Sequence, residues 1–468
     1  MVFDGAKVAA TDEIEKAKIS TSGGNFILQL PLDPSAVIDD IQKRLNYALQ
    51  FTGLNFILVS TPLEKEKKGG YQSALKALNA QARERKYNLL LGDHNFFEPF
   101  PRGNFQNVLA NSKWEKITDQ LKDKEKTHFK IEASQSGKAT SHLDINKEMI
   151  SLAGYHITFG KEGVPLSRFL ESVFPVKDTQ TILFEQLAKS DWYDWRSKKT
   201  VLYGGDAGVE KLGILAMDVD NLGVAIEAVT DDIEHRIFDQ ELQVFFNDKL
   251  REIIKKGTYK NKVGRSLPKY ENKIYPVTAG GDDTMFVGKW NTLLDLAGDI
   301  RTAFLDQFGE RRLSISAALV IVKPNFPVVR FAELAEDALK AAKYTYEGQK
   351  GNLHLLGEVL DWEIFNKEVL KTRRDFATHA RSLISSGLLA KARQTAAKIS
   401  DQKGITLSDL WKMGYYFRDI GNNGKALLKR HRNYLEQSLN EQNKLKGQTL
   451  RLVFPVAARL AEFDARNK

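Results

Sequence analysis

The chain has no cysteine among its 468 residues. That absence excludes disulfides, thiol nucleophiles and every zinc site that needs thiolate. Also missing is any apolar run near the roughly 18 residues that would span a bilayer, and the opening stretch MVFDGAKVAATDEIEKAKIS lacks the basic-then-apolar order of a secretory signal. A soluble, cytoplasmic protein without a membrane partner is the default expectation. With 42% hydrophobic and 10% aromatic residues, the chain can bury substantial cores in about two to four domains. Its formal charge is +9, and residues 358–468 hold 21 Lys and Arg against 12 Asp and Glu, which equals the whole excess. An acidic partner, nucleic acid first, is expected there, with a merely solvated helical surface as the plain alternative.

From residue 210 the pattern is legible. KLGILAMDVDNLG reads as a buried strand running to Asp218 before the turn-like Asn221 and Gly223. A helix over about 232–256 follows, then a basic loop, then the arms IYPVTA and TMFVGKW joined through GGDD. NTLLDLAGDIRTAFLDQF has helical period with Asn291 as cap, RLSISAALVIV reads as a strand, and RFAELAEDALKAAK is helical again. The order β-α-β-β-α-β-α predicts a ferredoxin-like palm over 206–357.

The N-terminal quarter repeats part of this order. SGGNFILQLP reads as a strand after a Gly-Gly step, followed by a helix at 34–51, the strand LNFILVST and the helix YQSALKALNAQARERK. Gly23 to Lys86 spans 63 positions, as does Gly280 to Lys343. The sequence therefore predicts an α+β protein with two palms, a degenerate one at 1–92 and the intact one at 206–357. A connecting domain at 93–205 and a basic helical domain at 358–468 complete it. Asn25 and Phe26 stand in the first copy where the second has Asp282 and Asp283, so the first is not expected to bind metal.

Two aspartates side by side at a hairpin tip repel each other, which raises the pKa of one unless a cation intervenes. In a split sheet the strand ending at Asp218 neighbours the GGDD hairpin, so Asp218 and Asp282 reach one point, with Asp283 the ambiguous third. Oxygen ligands without His or Cys suit Mg2+ or Mn2+, and two such ions would clamp a phosphoryl transfer. Gly280 and Gly281 would let a nucleotide phosphate approach closely. Lys343 would reach a triphosphate, with Lys340 as the spare candidate; Asn221 joins the nucleotide contacts. Each motif alone is also what an ordinary exposed turn uses. Asp220 is expected to face away from Asp218 and cap the next segment. Lys260, Lys262, Arg265, Lys269 and Lys273 of the basic loop are phosphate-contact candidates, as are Lys425, Lys429 and Arg432 for RNA backbone, with Tyr434 close by.

LGILAMDVDNLG, AGGDDTMFVGKW and AEDALKAAK resemble the polymerase-cyclase palm of the large signature subunit of type III CRISPR effector complexes, a relative of the GGDEF cyclases. That resemblance implies synthesis of cyclic oligoadenylate second messengers from ATP, switched on when guide RNA pairs with target RNA, beside other effector subunits. It makes Asp218 and Asp282 metal ligands, Asp283 a supporting carboxylate, Gly280 and Gly281 phosphate-loop residues and Lys343 a triphosphate contact. Two departures bear on it: no His-Asp step exists among the eight histidines, so DNase activity is not expected, and the four-cysteine zinc site of many members is gone. A cyclase using GTP and an idle RNA-binding scaffold are the competing readings.

Overall fold

The apolar run at 212–217 folds as the strand Leu212–Asp220, in the middle of a six-stranded sheet, because both of its faces are covered. The computed structural model describes residues 17–20, 26–30, 33–49, 56–64, 67, 69–92, 128–133, 142–144, 149–152, 155–160, 164–165, 176–177, 180–181, 184–188, 192–194, 199–201, 209–260, 266–271, 273–280, 282–379, 394, 411–412, 414–415 and 422–465. The chain divides into two compact units, residues 1–173 with 223–241, and residues 174–222 with 242–468.

In the second unit the palm strands lie in the order Ile274–Gly280, Asp283–Lys289, Leu212–Asp220 and Ser314–Val322, all antiparallel. In chain numbering this is 2-3-1-4, the split arrangement that the sequence predicts. Leu212, Ile214 and Ala216 share one core with Phe331 and Ala335 of the helix Phe331–Tyr344. Gly213, on the other face, lies so near the helix Trp290–Phe308 that an added Cβ would meet Trp290 Cα at 3.0 Å. The ring of Phe245 packs edge-on against Phe304 and Phe308 with centroids 5.3 and 5.7 Å away.

Several local expectations need correction. The helix read over 232–256 is present as Asp232–Gln243, a wider π turn at Val244–Lys249, and Leu250–Lys256, but a short helix, Leu222–Ala228, stands where the sequence reads as a turn. Asn291 caps nothing: Lys289 holds the cap position, and the buried Asn291 amide has no hydrogen-bond partner among the described residues. Two strands absent from the sequence reading, Asn352–Leu355 and Glu358–Asp361, extend the sheet beyond Ser314–Val322. Their hairpin turns on Leu356 and Gly357, at φ 57° and 88°, and straddles the boundary placed between 357 and 358.

In the first unit a two-stranded ribbon pairs Lys18–Ser20 with Ile27–Leu28, so the expected strand at 26–30 shrinks to two residues. The helices Ile38–Leu49 and Gly70–Gly92 follow. Between them, residues 56–61 of the predicted strand LNFILVST form no strand. Side chains of the flanking helices take its backbone groups: Asn46 bonds both N–H and C=O of Phe56, Gln42 accepts from Leu58 N–H, and Arg85 donates to Leu58 C=O. Of the connecting segment, a five-stranded antiparallel sheet is described, in the order 142–144, 149–152, 155–160, 128–133, 164–165. Within this unit Ser20 Oγ donates to Asp239 at 2.8 Å and Tyr71 OH meets His235 Nδ1 at 2.8 Å, tying the N-terminal ribbon and helix to residues 223–241.

Beyond the sheet the second unit holds the helices Leu370–His379, Asn422–Asn440 and Lys444–Ala465. His431 is buried with its ring centroid 4.4 Å from that of Phe454, and neither ring nitrogen finds a hydrogen-bond partner among the described residues. Burial pushes its pKa down to about 4. The unfolded chain then binds more protons than the native one between about pH 6.5 and 4, so this group withdraws stability as pH falls through that window. At about 1.4 kcal/mol per unit, the loss reaches roughly 3 kcal/mol by pH 4. Thermal unfolding from pH 7 to 4 will show His431→Leu losing less stability than the parent chain; parallel curves would contradict this.

Candidate active site

The palm strands bring the acidic residues to one end of the sheet. Asp218 pairs directly across from Asp283, and Gly280 pairs with Asp283 on its other side. Paired residues on neighbouring strands share a face. Asp283 therefore stands beside Asp218, while Asp282 occupies the turn and its peptide carbonyl accepts Val219 N–H at 3.3 Å. The partner that strand register gives Asp218 is thus Asp283, with Asp282 one residue away in the turn. Gly281 lies outside the described residues.

Burial is the main force on the Asp218 carboxyl and pushes it up to about 6; the Lys343 ammonium pulls it down, and Asp283 and then Asp282 push it up again. Asp283 is raised for similar reasons, burial first, then Asp282, with Lys343 opposing and Glu336 adding to the rise. Lys343 forms an ion pair with Asp218, and their side chains are only 12% and 23% exposed. The predicted triphosphate contact thus serves, in this state, as the cation that the aspartates require. Lys340, three residues earlier, is exposed and bonded to Glu336 at 2.7 Å, pointing it along its own helix rather than at Asp218.

Alternation along a strand returns Asp220 to the side of Asp218, which overturns the expectation that the two face apart. Nor does Asp220 cap the following segment. Its carboxylate is fully buried and accepts Ser314 Oγ, Ser316 Oγ and Gly351 N–H at 2.8–2.9 Å. Gly351 follows the helix that carries Lys343, so Asp220 joins the Asp218 strand to the far end of that helix. With φ at +75° and Ser314 Cβ 3.1 Å from where a Cβ would sit, position 351 suits glycine alone. Asn221 comes next, exposed and left-handed at φ 61°, a conformation Asn tolerates. Glu336, Ser314, Ser316 and Gly351 escaped the sequence reading; only Glu336 left a signal, sharing the helical face of Lys340 and Lys343 at i, i+4, i+7.

Among the described residues no cluster of three or more metal-ligating side chains is assembled. The donor chemistry nevertheless fits a hard divalent ion: two carboxylates in register, Asp218 and Asp283, both pressed toward neutrality by burial, with a third one residue away. Lys343 would have to leave Asp218 for the ion to take its place.

The other basic candidates are placed differently. Lys269 bonds Asp299 at 2.7 Å and Lys273 is buried on Pro268 C=O, so these two of the loop lysines serve the fold. Lys262 and Arg265 lie outside the described residues, and of Lys260 only the backbone is described, in the strand Thr258–Lys260. Lys425, Lys429 and Arg432 are exposed on the helix Asn422–Asn440, with Arg432 paired to Glu436 at 2.7 Å. Tyr434 is no part of that face: it is 4% exposed and its hydroxyl donates to Glu368. Among the described residues no helix is long and apolar enough to cross a membrane.

Comparison with known proteins falls on the same site. Residues 211–353 match the second palm domain of the Cas10/Cmr2 family. The subtype III-A Cas10/Csm1 protein of Methanocaldococcus jannaschii, named as a CRISPR single-strand-specific deoxyribonuclease, is 33% identical over 141 residues, 29% of this chain and 17% of that protein. Among solved structures, the Csm1–Csm4 cassette with one ATP superposes at TM-score 0.60 and 16% identity, and the cassette with cA4 at 0.58 and 15%. Each covers 94% of this chain, which spans 62% of the solved chain. Residues 211–353 are thus similar to the second palm domain of the Cas10/Cmr2 family, which supports, over this part of the chain, the resemblance read from the palm motifs to the large subunit of type III CRISPR effector complexes.

Proposed function

We propose that the chain makes cyclic oligoadenylates from ATP by divalent-metal-dependent nucleotidyl transfer, as the large subunit of a type III effector working with other subunits, guide RNA and target RNA. The observation that carries the reading is Asp218 in register with Asp283 on the face covered by the Lys343 helix, inside a second palm of this family. Support for the nucleotide comes from the similar Csm1–Csm4 structures, one holding ATP and one holding cA4.

Asp218, Asp282 and Asp283 would hold Mg2+ or Mn2+, which supplies positive charge to the triphosphate and to the oxygen that attacks it. A ribose hydroxyl of one nucleotide attacks the α-phosphorus of the next. An O–P bond forms, the bond to the bridging oxygen breaks, pyrophosphate leaves and the hydroxyl proton passes to solvent. Asp220 fixes the strand beneath Asp218, and Gly280 keeps the hairpin free of side chain where phosphate approaches. Lys343, released from Asp218, would meet the leaving phosphates. The deoxyribonuclease activity in the relative's name belongs to that protein, of which this chain matches 17%.

Incubating the chain with ATP or GTP and Mg2+ or Mn2+, with and without partner subunits and target RNA, and weighing the products by mass spectrometry tests the reading. Cyclic adenylate products are expected. Cyclic guanylate products would favour the GTP cyclase, and no product under any condition would leave the scaffold.

A further inference from the structure

The most exposed aromatic ring among the described residues is Trp411, at 72%. Four residues on, Tyr415 is 46% exposed, and the helical spacing brings the two rings together with centroids 5.8 Å apart and planes 17° from parallel. Exposed aromatics in a folded protein are normally scattered, and a parallel pair of them at the surface is an unusual use of that much apolar area. Lys412 between them is exposed, and a Cβ added at Gly414 would meet nothing within 4 Å. The segment 358–468 carries the chain's entire net positive charge.

We propose that Trp411 and Tyr415 form a stacking platform for unpaired bases of single-stranded nucleic acid. Flat ring faces accept any base, and the basic field retains the phosphates that come with it. A polyanion matches this field, whereas a basic protein surface would be repelled. The inference stands apart from the cyclase reading, because binding is measured without turnover.

The test measures binding of the full chain to single-stranded RNA, single-stranded DNA and an abasic strand of equal length across a salt series. Trp411→Ala is expected to weaken binding to base-bearing strands by roughly tenfold, with no change on the abasic strand and no change in salt slope. Trp411→Phe will restore most of the affinity. Replacing Lys425, Lys429 and Arg432 with glutamine will instead flatten the salt slope. The same loss on RNA and DNA assigns simple stacking, and a loss on RNA alone assigns RNA as the ligand. Because the chain has six tryptophans, a quench on binding counts only if Trp411→Phe removes it. An unchanged affinity in Trp411→Ala, or an equal loss on abasic and base-bearing strands, overturns the proposal. Failure of Trp411→Ala to assemble with partner subunits, with nucleic-acid affinity intact, would give the pair to a protein interface.

Discussion

Asp218→Ala alone will lose about as much cyclase product as Asp282→Ala and Asp283→Ala combined, on the order of a thousandfold, or about 4 kcal/mol in the barrier. In the proposed site the three carboxylates serve one cation, so removing either side of it removes the whole, and the losses will not add. Fold stability will move the other way. Burial holds Asp218 up to about 6 despite the Lys343 pair, so desolvation outweighs the attraction between them. Replacing both members of a largely buried ion pair with apolar groups is commonly neutral or stabilising. The double variant Asp218→Ala with Lys343→Met is therefore expected to be inactive yet at least as resistant to denaturant as the parent. An inactive variant that is also several kcal/mol less stable would mean that the pair supports the fold and that lost activity is only lost structure.

Much of this palm was legible because its strands are buried on both faces and its helices on one. A continuous run such as LGILAM has one reading, and the periodic stretch at 291–308 has another. The ferredoxin-like strand order followed from the order of elements, and with it the meeting of Asp218 with the hairpin. What escaped depends on contacts between distant residues. Strand parity alone would have set Asp220 beside Asp218, but its hydrogen-bond donors, Ser314, Ser316 and Gly351, lie 94, 96 and 131 residues away and carry no local mark. LNFILVST has the composition of a strand, and nothing in it announces that Asn46, Gln42 and Arg85 will occupy its backbone groups. Tyr434 lies among basic residues in sequence, yet its helix turns it inward to Glu368. The strands Asn352–Leu355 and Glu358–Asp361 have four residues each, too short for alternation to separate them from loop.

The helices following the palm are joined to it by a buried charge. Arg373 holds Asp464 through two bonds of 2.8 and 2.9 Å, with side chains 7% and 2% exposed, and lies over the Trp290 ring at 5.3 Å. Phe463 meets the same Trp290 edge-on at 5.5 Å. Asp295, inside the helix Trp290–Phe308, is partly buried and raised by desolvation, with Lys269 and Arg373 opposing the rise. Arg373→Met keeps the stem and deletes the charge, leaving the buried Asp464 and the partly buried Asp295 without that cation. A loss of about 3–5 kcal/mol is expected in denaturant unfolding at pH 7. Arg373→Met combined with Asp464→Leu will recover most of it, since the stranded carboxylate goes as well. The sign of the pH dependence separates this cause from simple loss of packing. A buried carboxyl whose folded pKa is raised binds more protons in the native state than in the unfolded one, so it gains stability as pH falls. The gap between Arg373→Met and the parent chain will therefore narrow from pH 7 to pH 5, whereas a defect of shape alone would keep it constant.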